Sequence, residues 1–204
     1  MAIMRREPRS LPMFVRVSHV PWLRLVMLFI SYTLLDSCIL QAQTTSDEYQ
    51  VKAAFLYHFA QLVTWPAGAG SDPSKPFLLC TVGQDPFEGK LESTIRGKQV
   101  NAQRIQIRHV EQANMRDCTM VFIGQSNDTH LLALLETLGN DPILTVGEGD
   151  GFLEAGGMIQ FLIERNRIRF AINRGAAEAA NLTISSQLLL LARNVVNQPK
   201  AGRK

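Results

Sequence analysis

Glycines, histidines and cysteines are the residues through which this chain could do chemistry, and their spacing limits what that chemistry is. Gly147, Gly149 and Gly151, then Gly156 and Gly157, follow directly on the apolar run Ile143 to Val146. A glycine-rich turn after a strand is where an open α/β sheet places a ligand. The order G-E-G-D-G-F is neither the G-x-G-x-x-G of a dinucleotide fold nor a phosphate loop with its Lys and Ser/Thr. Glu148 and Asp150 would also repel a phosphate, so the first reading of these glycines is that they permit turns with positive φ. Gly149, Gly151, Phe152, Gly156 and Gly157 are still the expected partner or ligand surface, with Phe152 expected to be exposed. His58, His109 and His130 stand outside metal-ligand spacing of one another and of the cysteines, so no metal site is expected. His58 falls on the apolar face of a helical pattern and reads as a core or interface residue. No Ser sits in a nucleophile elbow and no H-E-x-x-H occurs, so neither a catalytic residue nor a cofactor is expected. Glu148, Asp150 and Glu154 read as loop solvation.

Cys80 lies inside FLLCTV and Cys118 just ahead of MVFI. In a reducing compartment both would be small core residues. In an oxidising one they read as a disulfide, structural or redox-sensing. The N-terminus bears on which applies. Arg5, Arg6, Arg9, Arg16 and Arg24 precede Leu25 to Leu35, a run of 11 uncharged residues, and a polar exit follows. A basic region, a short apolar core and a polar exit make a secretory signal peptide, with Ala42/Gln43 as the expected cut. Two alternatives stay open: lipidation of Cys38 in Leu35-Asp36-Ser37-Cys38, and an uncleaved signal anchor.

The elements that must position these residues come in a β/α rhythm. Thr45-Ser46-Asp47-Glu48 fits a capping box, and helical periodicity predicts a helix over about 47–63, ended by Trp65-Pro66. Phe77 to Val82, Met120 to Ile123 and Ile143 to Val146 read as buried strands, and Ile105 to Val110 as a further strand. Phe87 to Ile95 and Leu131 to Leu138 read as helices. Met158 to Ile163 and Ile168 to Ile172 form a hairpin pair around Glu164-Arg165-Asn166-Arg167, and Ser185 to Val196 reads as a closing helix. The expectation is a single α/β domain over 43–198, a mostly parallel mixed sheet with helices on both faces and an antiparallel C-terminal hairpin, between a signal peptide at 1–42 and a basic disordered tail at 199–204.

Composition narrows the class further. The chain has 204 residues, 46% hydrophobic and 19% charged, which suits one globular domain and excludes disorder. Its net charge of +3 belongs to the leader: residues 1–42 hold five basic and two acidic residues of the 21 and 18 in the whole chain, leaving 16 of each. A nucleic-acid partner is therefore not expected.

Glu48-Tyr49-Gln50-Val51-Lys52-Ala53-Ala54-Phe55-Leu56-Tyr57 with Phe59 and Trp65-Pro66, then FLLCTVGQDPF, DCTMVFIG, ILTVGEGDGFLEAGGMIQF and Ile184-Ser185-Ser186-Gln187-Leu188-Leu189, occur here in one order. Taken together these resemble the YfiR-like family of exported bacterial proteins, over about residues 48–196. The resemblance implies a periplasmic, commonly dimeric α/β protein that is not an enzyme. It further implies binding to the periplasmic part of an inner-membrane diguanylate cyclase, which holds the enzyme off, lowering cyclic-di-GMP and biofilm formation. Cys80 and Cys118 match a disulfide of the family's namesake type, whereas a second cysteine pair there has no counterpart here. The alternative is a periplasmic small-ligand binder using the loop 147–157, and a small-molecule effector could also tune the regulator.

Overall fold

A computed structural model describes residues 48–70, 72–83, 85–124 and 128–198. The expected cut at Ala42/Gln43, Cys38 and the tail at 199–204 lie outside these residues. The first helix, α1, covers 48–62 and passes into β1 (Val63–Thr64). After it come β2 (Phe77–Val82), α2 (Lys90–Ile95), β3 (Gln99–Val100), β4 (Gln103–Val110), a 3-10 turn (Gln112–Asp117), β5 (Met120–Ile123), α3 (Asp128–Leu138), β6 (Leu144–Glu148), β7 (Ile159–Glu164), β8 (Arg167–Asn173), α4 (Arg174–Ala179), β9 (Thr183–Ile184), α5 (Ser186–Leu191) and β10 (Asn194–Val196).

Eight strands form one sheet in the order β10-β8-β7-β6-β5-β2-β4-β3, and β1 pairs with β9 in a small antiparallel ribbon. The ladders β4-β2, β2-β5, β5-β6 and β6-β7 are parallel, while β7-β8 and β3-β4 are antiparallel. Alternation along each strand sends residues to two cores. Phe77, Leu79, Met120, Phe122, Leu144, Val146, Phe161 and Phe170 meet α1, α2, α4 and α5 on one face. Cys80, Val121, Ile123 and Ala171 meet α3 and the 3-10 turn on the other. Helices on both faces of a largely parallel sheet, with an antiparallel hairpin late in the chain, agree with the fold expected from the sequence.

Three local expectations need correction. The closing helix is short: Ser185 caps α5 by accepting from the Leu188 amide at 3.2 Å, and the chain is extended by Ala192. Asn194–Val196 instead add to β8 as a parallel edge strand, where β-branched Val195 and Val196 suit a ladder better than a helix. Residues Phe87 to Ile95 are helical only from Lys90, because Glu88 and Gly89 take φ of 50° and 82°. The first helix ends at 62, close to the expected 63, and Val63 and Thr64 then pair with Ile184 and Thr183. Its buried face also runs through Lys52, Ala53, Leu56, Phe59 and Ala60, leaving Val51 and His58 exposed.

Candidate functional site

Glu148 ends β6 on the face covered by α1, and two α1 side chains meet it. Lys52, only 3% exposed, bonds Glu148 Oε2 and also pairs with Glu48 one turn earlier. The Tyr49 hydroxyl donates to Glu148 Oε1 at 2.8 Å, and the Lys52 ammonium lies 4.4 Å from the Tyr49 ring centroid. Burial, and then the hydrogen bond to the Glu148 carboxylate, hold the Tyr49 phenol well above its ordinary pKa. This buried charge is paired on every side, as a charge removed from water must be. Glu148 is thus a core ion-pair partner and not the loop-solvating residue expected from the sequence. Glu48 and Lys52 are an i, i+4 pair within α1, and the sheet brings Glu148 to them. The cluster floors a cleft of about 570 Å³ whose rim includes Gly149, Asp150 and Gln160. Gln160 Nε2 donates to the Gly149 carbonyl at 2.6 Å, which ties the rim to β7.

The glycine-rich segment does two different things. Gly149, Gly151 and Gly156 take positive φ, as turns there require. Gly147 and Gly157 make room for Phe152: a Cβ on either would fall 2.1 Å from its ring. Phe152 is fully buried, correcting the expectation that it is exposed. Its ring fills the second core against Leu153 and Ala171 because the loop folds back, with Gly157 N donating to the Phe152 carbonyl at 2.9 Å. Asn173, itself fully buried, donates to the Leu153 carbonyl at 3.2 Å. Of the five expected surface residues only Gly149 and Gly151 reach solvent appreciably.

Cys80 and Cys118 form a disulfide, with Cα atoms 6.0 Å apart. It joins β2 to the segment entering β5, inside the second core. His109 Nδ1 lies 2.5 Å from Thr81 Oγ1, with Asp85 and Glu92 carboxylates 3.9 and 3.8 Å from its Nε2. Thr81 is fully buried, which makes this contact a structural tie between β2 and β4 and denies the hydroxyl to any substrate.

Three exposed apolar side chains lie close together in sequence at the C-terminal edge, while Ile163 on β7 (61%) and Val51 on α1 (43%) are exposed elsewhere. Leu190 and Leu191 on α5 are 87% and 61% exposed, and Val195 on β10 is 42% exposed. Strand β10 has a sheet neighbour, β8, on one side only. A sequence signal for this was present: an LLLL run longer than one buried stripe requires.

A conserved domain protein from Vibrio cholerae O1 biovar El Tor strain N16961 aligns at 11% identity and a TM-score of 0.47, over 58% of this chain and 54% of that one. An ABC domain from Streptococcus pneumoniae, solved with L-Trp, aligns at 10% identity and a TM-score of 0.43, over 62% and 57%. The chain spans little more than half the length of these solved chains. The sequence pattern of the YfiR/HmsC-like family covers residues 49–193, from the Tyr49 and Lys52 turn of α1 through the disulfide and the glycine-rich loop to Arg193 at the entrance of β10, and the chain belongs to that family.

Proposed function

We propose that this protein is an exported regulator that binds the periplasmic part of an inner-membrane diguanylate cyclase and represses it. The family is regulatory rather than catalytic, which supports the general reading. The observation that carries the finer one is the exposed apolar group Leu190, Leu191 and Val195 within residues 190–195, beside an open strand edge. Apolar side chains ringed by polar ones such as Arg193 and Asn194 have the composition of a partner interface. Gly149 sits on the rim of a separate cleft, Gly151 is exposed on the loop beyond it, and buried Phe152 contributes no contact area. The regulator acts by differential affinity: bound to the inactive conformation of the cyclase, it shifts the population toward that conformation.

Deleting the gene in a strain that expresses the cyclase raises cyclic-di-GMP, and wild-type protein restores it. The pair Leu190→Asp and Leu191→Asp, in side chains that contribute little to the core, folds but fails to restore it. Unchanged cyclic-di-GMP on deletion sinks the whole reading; full rescue by the double variant sinks only the placement of the surface.

The cleft above Lys52 and Glu148, with Gly149 and Asp150 at its rim, favours a second reading in which a small effector tunes the regulator. A ligand at one hundred times its dissociation constant stabilises by about 2.7 kcal/mol, so a thermal-shift panel of metabolites tests for such an effector, and no shift with any of them removes this second reading.

A further inference from the structure

We infer that the tip of the β7-β8 hairpin is a binding site for a phosphate monoester. Arg165, Arg167, Arg169 and Arg193 line one open cleft of about 670 Å³ there, and Glu164 is the acid among its lining residues. Arg193 Nε donates to both oxygens of Glu164, at 2.9 and 3.0 Å, so that carboxylate is already engaged. Glu164 stands opposite Arg167 in the ladder, yet its ion pair is with Arg193. Arg165, Arg167 and Arg169 are exposed and have no ion-pair partner among the described residues.

Three further features select the ligand chemistry. Arg167 and Arg169 are two positions apart on β8 and so project from one face of the strand, about 7 Å apart along it. Guanidinium forks match carboxylate and phosphate oxygens alike, but three uncompensated forks exceed what a singly charged carboxylate neutralises. A dianionic group with three terminal oxygens satisfies them. Arg165 also occupies the first position of a two-residue turn with φ of 49°, followed by Asn166 with φ of 61°. Such a turn favours Asn or Gly, so a long β-carbon-bearing cation there goes against local preference. The charge is concentrated locally in a chain that is balanced beyond residue 42, which makes the cleft a focus for anions and not part of a general basic surface.

The monoester has two sources, a free phosphorylated metabolite or a lipid headgroup, and the test separates them. Full-length folded protein is titrated calorimetrically with glycerol 3-phosphate and with acetate, and is sedimented with phosphatidylcholine vesicles with and without phosphatidic acid. Wild-type protein is expected to bind the phosphate compound and to bind acetate about tenfold or more weakly. The pair Arg167→Glu and Arg169→Glu is expected to lose that binding. The charge-matched control, Arg96→Glu and Arg104→Glu at the other end of the sheet, is expected to keep it. Saturable binding of glycerol 3-phosphate assigns a soluble ligand; binding to phosphatidic acid vesicles alone assigns a lipid headgroup. Binding in neither arm, equal affinity for acetate, or binding unaffected by the Arg167/Arg169 pair overturns the site. Circular dichroism of each variant keeps loss of fold apart from loss of binding.

Discussion

Lys52 carries its charge inside the core, held by Glu148 from β6 and Glu48 from its own helix. Replacing it with Met leaves the Glu148 carboxylate buried without its cation, which should cost about 3–5 kcal/mol in urea unfolding. Adding Glu148→Gln should recover most of that, because the stranded charge is then gone; strictly additive losses would refute the coupling. Tyr49 predicts a pH effect with a definite sign. Its proton is retained to higher pH in the folded protein than in the unfolded chain, so the folded form binds more protons above about pH 10. That contribution is fully present below about pH 10 and lost as pH rises further, and Tyr49→Phe should flatten the fall of urea midpoints between about pH 10 and about pH 12. Phe152 and its flanking glycines form a third unit. Gly147→Ala should destabilise by about 1–3 kcal/mol through overpacking, and Phe152→Ala by about 3–5 kcal/mol through a cavity. The double variant should be less damaged than the sum, since the new methyl group enters the space the ring leaves.

Among the elements, the disulfide and the hairpin turn have the clearest energetic consequences. Cys80–Cys118 closes a loop of 38 positions, worth about 4 kcal/mol in the chain-entropy model. Reduction should lower the unfolding free energy by up to that amount, measured by denaturant titration with and without reductant under conditions that keep the thiols free. At the hairpin, Arg165→Asn places a residue tolerant of positive φ at the turn and should stabilise by up to about 1 kcal/mol. A gain in stability with loss of phosphate binding would show that the arginine is kept against the preference of its own turn. The elements also show how far local pattern reaches. Strands β2 and β5 were legible to the residue, because each is a short apolar run bounded by glycine or polar residues. The stretch Ser185 to Val196 was not, because apolar runs look alike in helix and strand. Strand β8 supplied the open edge that Asn194–Val196 pair with. The 3-10 turn and α4 lacked a strong periodic pattern and follow from tertiary packing of Met115, Ala176 and Ala177.

For the whole molecule, the proposed export has a signature in mass. Cleavage at Ala42/Gln43 predicts a mature chain beginning at Gln43, with equal numbers of basic and acidic residues and two cysteines joined. Intact mass of the exported protein, before and after reduction and alkylation, checks this: an N-terminus at Cys38 carrying lipid would replace it with the anchored alternative.

Local information was enough for the α/β class and for the family, and the resemblance to that family pointed to the disulfide partners. Strand runs, helix periodicity, the count of cysteines and the order of short motifs are all properties of the linear chain. Other features became visible only in three dimensions: that Phe152 is core, that Glu148 pairs with Lys52, that the first helix buries its Lys52 face, and that the exposed leucines lie beside an open edge. These depend on which strands become neighbours and on which face each helix covers. The contacts join residues nearly a hundred positions apart, as Lys52 and Glu148 are, and periodicity within one segment carries no record of such a partner.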